Sequence, residues 1–453
     1  MRRSFLIIFA TIIAASISAQ TPEAIREIIR KNPNFAKPTV TTYQNIKIGK
    51  IAPAPKGYKP FYYTLASRHG SRYELHDTTF MYPTAVYNRA AELGILTPLG
   101  EEVRQILNRA TEVQMGKNGE LAPLGRRQLH DIGLRAYENF KEIFDKGSIE
   151  GKSSAKMRCV ISMVSFVDGL KTKNGAIPIE LEARESYLKM LRPLDRNVLP
   201  SNIYDRFKTL QHDGPWSEQR KAWIAKQDFS SMLSKITTKP ELLVEKCGAH
   251  SLFEFCYNAH HLLSFAINFE MCDEEIIPRI FTVDELYTLC VYQTMRWIHL
   301  TAGMGDPTVD ARLAYLRPLV EDLLGKAQDA IDGKNPHVAN LRFTHDSYMV
   351  PLLAILGYKD CSIKYTNNLE MDAVSIPFST IVPMAANLQI VLYRNKKGEV
   401  LVRSLLNEKD IYMPIECETA PFYPWKEFCA IAHKHMAKND IALEKFLTEN
   451  NLK

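Results

Sequence analysis

A chain of 453 residues with 46% apolar and 24% charged residues has the balance of an ordinary globular protein with two domains' worth of core. The 57 Lys and Arg exceed the 51 Asp and Glu by six, and without Arg2 and Arg3 they number 55. So mild an excess argues against a nucleic-acid partner and leaves room for a local basic pocket around an anionic substrate.

In chain order, Met1–Ala19 reads as a secretory signal peptide: Arg2 and Arg3 start it, Phe5–Ala15 is its apolar core, and Ile17-Ser18-Ala19 precedes the cleavage point. The apolar core is too short to span a bilayer. An exported protein, secreted or periplasmic, follows; an uncleaved membrane anchor is the alternative. Pro22–Lys31 has helical spacing, and the chain then turns Pro-rich and extended to about Tyr43. Phe61–Ala66, bounded by Pro60, reads as a strand buried on both faces. It delivers the stretch Ser67-Arg68-His69-Gly70-Ser71-Arg72-Tyr73. Gly70 permits close backbone approach of a ligand. Two guanidiniums can fork onto phosphate oxygens, and an imidazole between them loses its proton more readily. Such a ring beside a phosphate is a candidate nucleophile. An Arg-rich surface turn is the plain alternative.

Helical spacing predicts helices over Tyr82–Met115 and from Leu121-Ala122-Pro123-Leu124-Gly125 to Ile143, the latter carrying Arg126, Arg127, Gln128 and His130. Arg126, Arg127 and His130 equally suit a solvated face. Ser153 and Ser154 open a further apolar helix with Arg158 in its first turn, where free N–H groups favour anions. From Asp195 to Asp332 the pattern is helical throughout, for example over Ile224–Ile236, Leu252–Ile267, Val283–Trp297 and Leu313–Asp332. His337–Thr344 returns to strand character, followed by His345-Asp346-Ser347 and a helix over Tyr348–Leu356. Asn387–Tyr393 and Glu399–Leu405 form a hairpin, and Tyr423–Leu447 a last helix, for which a break near Asn439 is the alternative.

Four His-Asp pairs occur: His76-Asp77, His130-Asp131, His212-Asp213 and His345-Asp346. Only the last lies where an apolar strand ends and a helix starts, and open α/β sheets bind ligands outside such strand ends. Eight Cys downstream of the signal permit disulfides, with Cys417–Cys429 the favoured pair; the alternative is buried free thiols, Cys159 among them. No CxxC is present, and neither His260-His261 nor His433-x-His435 sits in a context that favours a metal.

The stretch Arg68-His69-Gly70-Ser71-Arg72-Tyr73 resembles the RHGxRxP signature of the histidine acid phosphatases (histidine phosphatase superfamily, branch 2). Its Tyr resembles the phytase and multiple inositol-polyphosphate phosphatase members; Glu74 departs from the family's Pro. The Pro-Leu-Gly-Arg-Arg-Gln helix start, Arg158 and His345-Asp346 match further points. The resemblance implies a phosphoglycerate-mutase-like α/β core, residues 20–194 and 335–453, with an inserted, mainly helical domain over 195–334. It implies a secreted phosphomonoesterase that needs no cofactor or metal. His69 would be the nucleophile and Asp346 the proton donor, with Arg68, Arg72, Arg158 and His345 holding phosphate. Phytate or other inositol polyphosphates are the expected small-molecule substrates; sugar or nucleotide phosphates, or binding without turnover, are the alternatives.

Overall fold

The computed structural model describes residues 21–49, 51–214, 216–301, 307–359, 361, 363, 365–366 and 368–453. The signal peptide expected over Met1–Ala19 lies outside them. The elements begin α1 (Pro22–Lys31), β1 (Lys59–Arg68), α2 (Thr78–Glu92), α3 (Pro98–Gln114), α4 (Pro123–Phe144), β2 (Ser148–Ser153), α5 (Met157–Lys173), β3 (Ile179–Ala183) and α6 (Leu188–Leu191). A helical run follows: α7 (Ser201–Asp213), α8 (Trp216–Ile224), α9 (Ser230–Ile236), α10 (Glu241–Glu245), α11 (Leu252–Asn268), α12 (Ile276–Ile280), α13 (Val283–Thr301), α14 (Pro307–Ala314) and α15 (Arg317–Ile331). The chain ends with β4 (His337–Thr344), α16 (Asp346–Leu356), α17 (Leu369–Val374), α18 (Phe378–Ile381), β5 (Asn387–Arg394), β6 (Val400–Leu406), β7 (Lys409–Asp410), β8 (Phe422–Pro424) and α19 (Trp425–Glu449).

The strands form one mixed sheet in the order β3-β2-β4-β1-β5-β6-β7, with β8 also on β6. The four strands β3, β2, β4 and β1 are parallel, and β5 runs antiparallel to β1. Alternation along β1 explains why both faces are covered. Tyr63 and Leu65 enter the apolar layer formed with α4 and α5, and Tyr62 and Ala66 enter the layer that continues into the helical run. The register sets Arg68 opposite Thr344 and Ser153 opposite Phe343, so β1, β4 and β2 end side by side. The residues that follow those ends share one edge of the sheet, outside the carboxyl ends of parallel strands.

Several expectations change in detail. The apolar spacing over Ile224–Ile236 is not one helix: α8 stops at Ile224, and Asp228 accepts from Ser230 N (2.9 Å) to start α9. The last helix begins at Trp425, because Tyr423 pairs in β8, and it continues through the buried Asn439. No disulfide joins any of the eight cysteines. Cys417 and Cys429 form no disulfide: the Cys417 thiol turns to Phe422 O at 3.4 Å, while Cys429 rides on α19. Among the described residues no helix is long and apolar enough to cross a membrane.

Candidate active site

At the end of β1 the backbone clamps the loop before any side chain acts. Arg68 N–H donates to Ala386 O (2.7 Å), His69 N–H to Thr344 O (3.2 Å), and Ala385 N–H to His69 O (3.0 Å). Ser71 N–H reaches Gln128 Oε1 (2.8 Å) on α4, and Ala122 N–H reaches back to Ser71 O (2.9 Å). Gly70 is required here for a reason other than ligand approach: a Cβ on it would sit 2.4 Å from Gly125 O, and one on Gly125 would sit 2.2 Å from Ser71 O. The two glycines let the loop lie directly on the first turn of α4.

This clamp buries His69, which is 2% exposed. Its Nδ1 lies 2.9 Å from Gly70 O. A carbonyl only accepts, so Nδ1 carries the proton and Nε2 keeps its lone pair. Burial, then the nearby cations Arg158, Arg68 and Arg72, hold the ring well below the usual histidine range, so it stays neutral. A neutral imidazole with a defined lone pair is what a nucleophile needs.

Arg68 is 1% exposed and largely committed: its Nη1 donates to Thr39 O (2.6 Å) and Val382 O (2.9 Å), and its Nη2 to Asp346 Oδ2 (2.7 Å). Burial lowers its pKa to about 10, which keeps it charged in acid and at neutrality. Arg72 donates to Tyr73 O (2.8 Å) and lies 3.9 Å from Glu74 Oε2. Arg158, at the start of α5, lies 3.4 Å from His345 Nδ1 and 3.5 Å from Gly119 O. The Nε atoms of all three arginines are buried without an acceptor. Three guanidiniums with unused donors around one neutral ring form a seat for an oxyanion.

His345 caps the end of β4. Because Arg158 donates to its Nδ1, its Nε2 carries the proton toward Ser154 Oγ (3.3 Å). Burial and Arg158, then Arg192 and Arg68, keep this ring neutral as well. The rings of His69 and His345 meet edge-on at 5.5 Å. Asp346 is the first residue of α16, and its Oδ1 accepts from Ser347 N–H (2.9 Å). The sheet therefore brings His69, Arg68, Arg72, Arg158, His345 and Asp346 to one edge.

The other candidates fall elsewhere. His76 is exposed, His130 on α4 contacts Asp131 and Thr172, and Arg127 pairs with Glu270 at the surface. Sequence reasoning missed the two carbonyl partners of Arg68, which come from coil segments without any motif. It also missed what Glu74 does. Glu74 is buried beside Arg72, with its Oε2 3.6 Å from His261 Nε2 on α11. Burial alone would raise its pKa, but the His261 contact and Arg72 outweigh that and bring it down to about 2. The one available signal was helical spacing of Tyr257, His261, Phe265 and Asn268. Among the described residues no group of three or more His, Cys, Asp or Glu is placed to hold a metal ion.

Known proteins resemble this chain in sequence and in fold. The sequence model of the histidine phosphatase superfamily (branch 2) matches residues 64–407. The thiamine-repressible acid phosphatase pho4 of Schizosaccharomyces pombe is 22% identical over 378 residues, covering 79% of this chain and 76% of the relative. A second thiamine-repressible acid phosphatase of that species is 24% identical over 377 residues, with the same coverage. Among solved structures, the multiple inositol polyphosphate phosphatase of Bifidobacterium longum in its apo form superposes with a TM-score of 0.70 at 18% identity, over 89% of this chain and 98% of that one. The phytase of D. castellii superposes with a TM-score of 0.62 at 16% identity, over 89% of this chain and 85% of that one. These likenesses establish the α/β fold with its central sheet.

Proposed function

Because the chain belongs to the histidine phosphatase superfamily (branch 2), we propose that it is a secreted phosphomonoesterase working through a phosphohistidine, with phytate or other inositol polyphosphates as substrates. One observation carries the chemistry: His69 Nε2 is left with its lone pair while three arginines and Asp346 stand around it. In the first step Nε2 attacks phosphorus and the ester P–O bond breaks. The departing oxygen takes the proton of Asp346 in its acid form, since an alkoxide leaves poorly unaided. Arg68, Arg72 and Arg158 hold the phosphoryl oxygens as charge redistributes. In the second step a water gives its proton to the Asp346 carboxylate and its oxygen to phosphorus. The P–N bond breaks, releasing phosphate and restoring the ring. His345 donates to phosphate in this scheme only if its ring proton moves to Nδ1, the position now facing Arg158.

Arg68 couples the two halves of the site, because its Nη2 faces Asp346. An intact proton donor also argues against a protein that merely binds phosphate esters. The polyphosphate preference rests on the likeness to inositol-polyphosphate phosphatase and phytase folds and on Tyr73. The acid phosphatase relatives support a second reading, a broad phosphomonoesterase. Alkali-quenched turnover of a labelled ester is the test. An alkali-stable, acid-labile phosphate bond is expected on wild-type protein and absent from His69→Ala; labelling of both would refute the intermediate.

A further inference from the structure

One face of α11 reads outward from the phosphate seat. Asn268 Oδ1 accepts from Ser71 Oγ (2.6 Å), and Phe265 underlies the Arg72 guanidinium at 5.2 Å. One turn further His261 meets Glu74 at 3.6 Å. Another turn on, Tyr257 stacks on His261 at 5.5 Å and accepts from Arg296 Nη1 on α13 (2.9 Å). These four residues recur every three or four positions, so they form a single stripe.

Arg296 ends that stripe. It is exposed, and its guanidinium carbon lies 5.9 Å from the Tyr257 ring and 6.0 Å from the Tyr292 ring. A phenol oxygen is its hydrogen-bond acceptor, and no carboxylate pairs with it among the described residues. A cation steadied by two aromatic faces and one neutral oxygen keeps its other donors for an anion. The contrast with Arg68 is plain, since Arg68 spends its donors on two carbonyls and a carboxylate. From Phe265 to Tyr257 the helix rises about 12 Å, so Arg296 is set about two helical turns along α11 from Arg72. Glu74 lies between the two arginines, and its negative charge keeps them separate seats rather than one broad one.

We infer that Arg296, set by Tyr257, is a second anion subsite on the helical wall, taking another phosphate of a polyphosphorylated substrate. This rests on the phosphatase reading for its purpose but not for its test. Binding of inositol hexasulfate, which cannot turn over, is measured by calorimetry on wild type, Arg296→Ala and Arg296→Lys. The dissociation constant is expected to rise about tenfold in Arg296→Ala, the size of one lost charge-assisted contact, and less in Arg296→Lys. The ratio of kcat/KM on phytate to that on p-nitrophenyl phosphate is expected to fall by a similar factor. An unchanged dissociation constant overturns the inference. So does an equal weakening of inhibition by inorganic sulfate, because Arg296 would then belong to the first seat. If wild type turns over neither ester while the hexasulfate difference persists, the subsite stands and the phosphatase reading falls.

Discussion

At His69 a backbone carbonyl, not a carboxylate, decides which nitrogen carries the proton. The reactive lone pair then depends on no neighbour's titration, and burial with three cations keeps the ring neutral into acid. His69→Ala should therefore lose turnover of every ester on the order of 10⁴-fold, measured as phosphate release at about pH 5. Asp346→Asn should behave differently. Arg68 stays anchored by Thr39 O and Val382 O, so the phosphate seat persists. The loss should be about 10²-fold or more on an alkyl phosphate and much smaller on p-nitrophenyl phosphate, whose aryl oxide departs without a proton. Equal losses on the two esters would remove Asp346 from the role of proton donor.

The joint between β1 and α4 is where elements, rather than residues, build the site. Gly70 and Gly125 allow backbone to touch backbone, and Gln128 and Ala122 then bond the loop that carries Arg72. Gly70→Ala places a Cβ 2.4 Å from Gly125 O. The loop and helix must part, at a cost of about 1–3 kcal/mol. A lower urea midpoint with a raised KM is expected; wild-type values of both would show that the joint is not tight. Much of this was legible beforehand. The apolar runs Phe61–Ala66 and His337–Thr344 are buried on both faces, so their composition announces strands, and each ends in the motif that matters. β2 and β3 were not legible: Ser148–Ser153 is half polar, and Ile179–Ala183 lies at the sheet edge with its residues only half-buried or exposed. Pairing with β4, not propensity, makes β2 a strand, and a single sequence does not display that pairing. Glu74 was legible as a departure from the family's pattern, but its partner His261 is nearly two hundred positions away on a different layer.

At the scale of the whole fold, three histidines among the described residues are buried neutral: His69, His345 and His260. Burial is the main cause for each, followed by Arg158 at the first two and by Lys37 at His260. All three have folded pKa values depressed below the unfolded one, so below about pH 6.5 the unfolded chain takes up protons that the folded chain refuses. Their effect on stability is therefore nil at higher pH and increasingly unfavourable as pH falls. Glu74 adds a later loss: held to about 2, it supports the fold above the unfolded carboxylate range and ceases to as pH falls from about 4.5 to 2. The melting temperature should thus drop between about pH 7.5 and pH 5. An anion in the arginine seat changes the balance, because it favours the protonated rings of His69 and His345 but lies away from His260. Sulfate, whose charge is constant over this range, should raise the melting temperature more at about pH 5 than at pH 7.5. His260→Gln should flatten the pH slope of the free protein and leave the sulfate effect as it is, whereas His345→Gln should diminish the extra stabilisation in acid. A sulfate effect of the same size at both pH values would mean that the two site histidines do not share a proton-linked field with the arginines. The seat would then hold its anion by fixed charge alone.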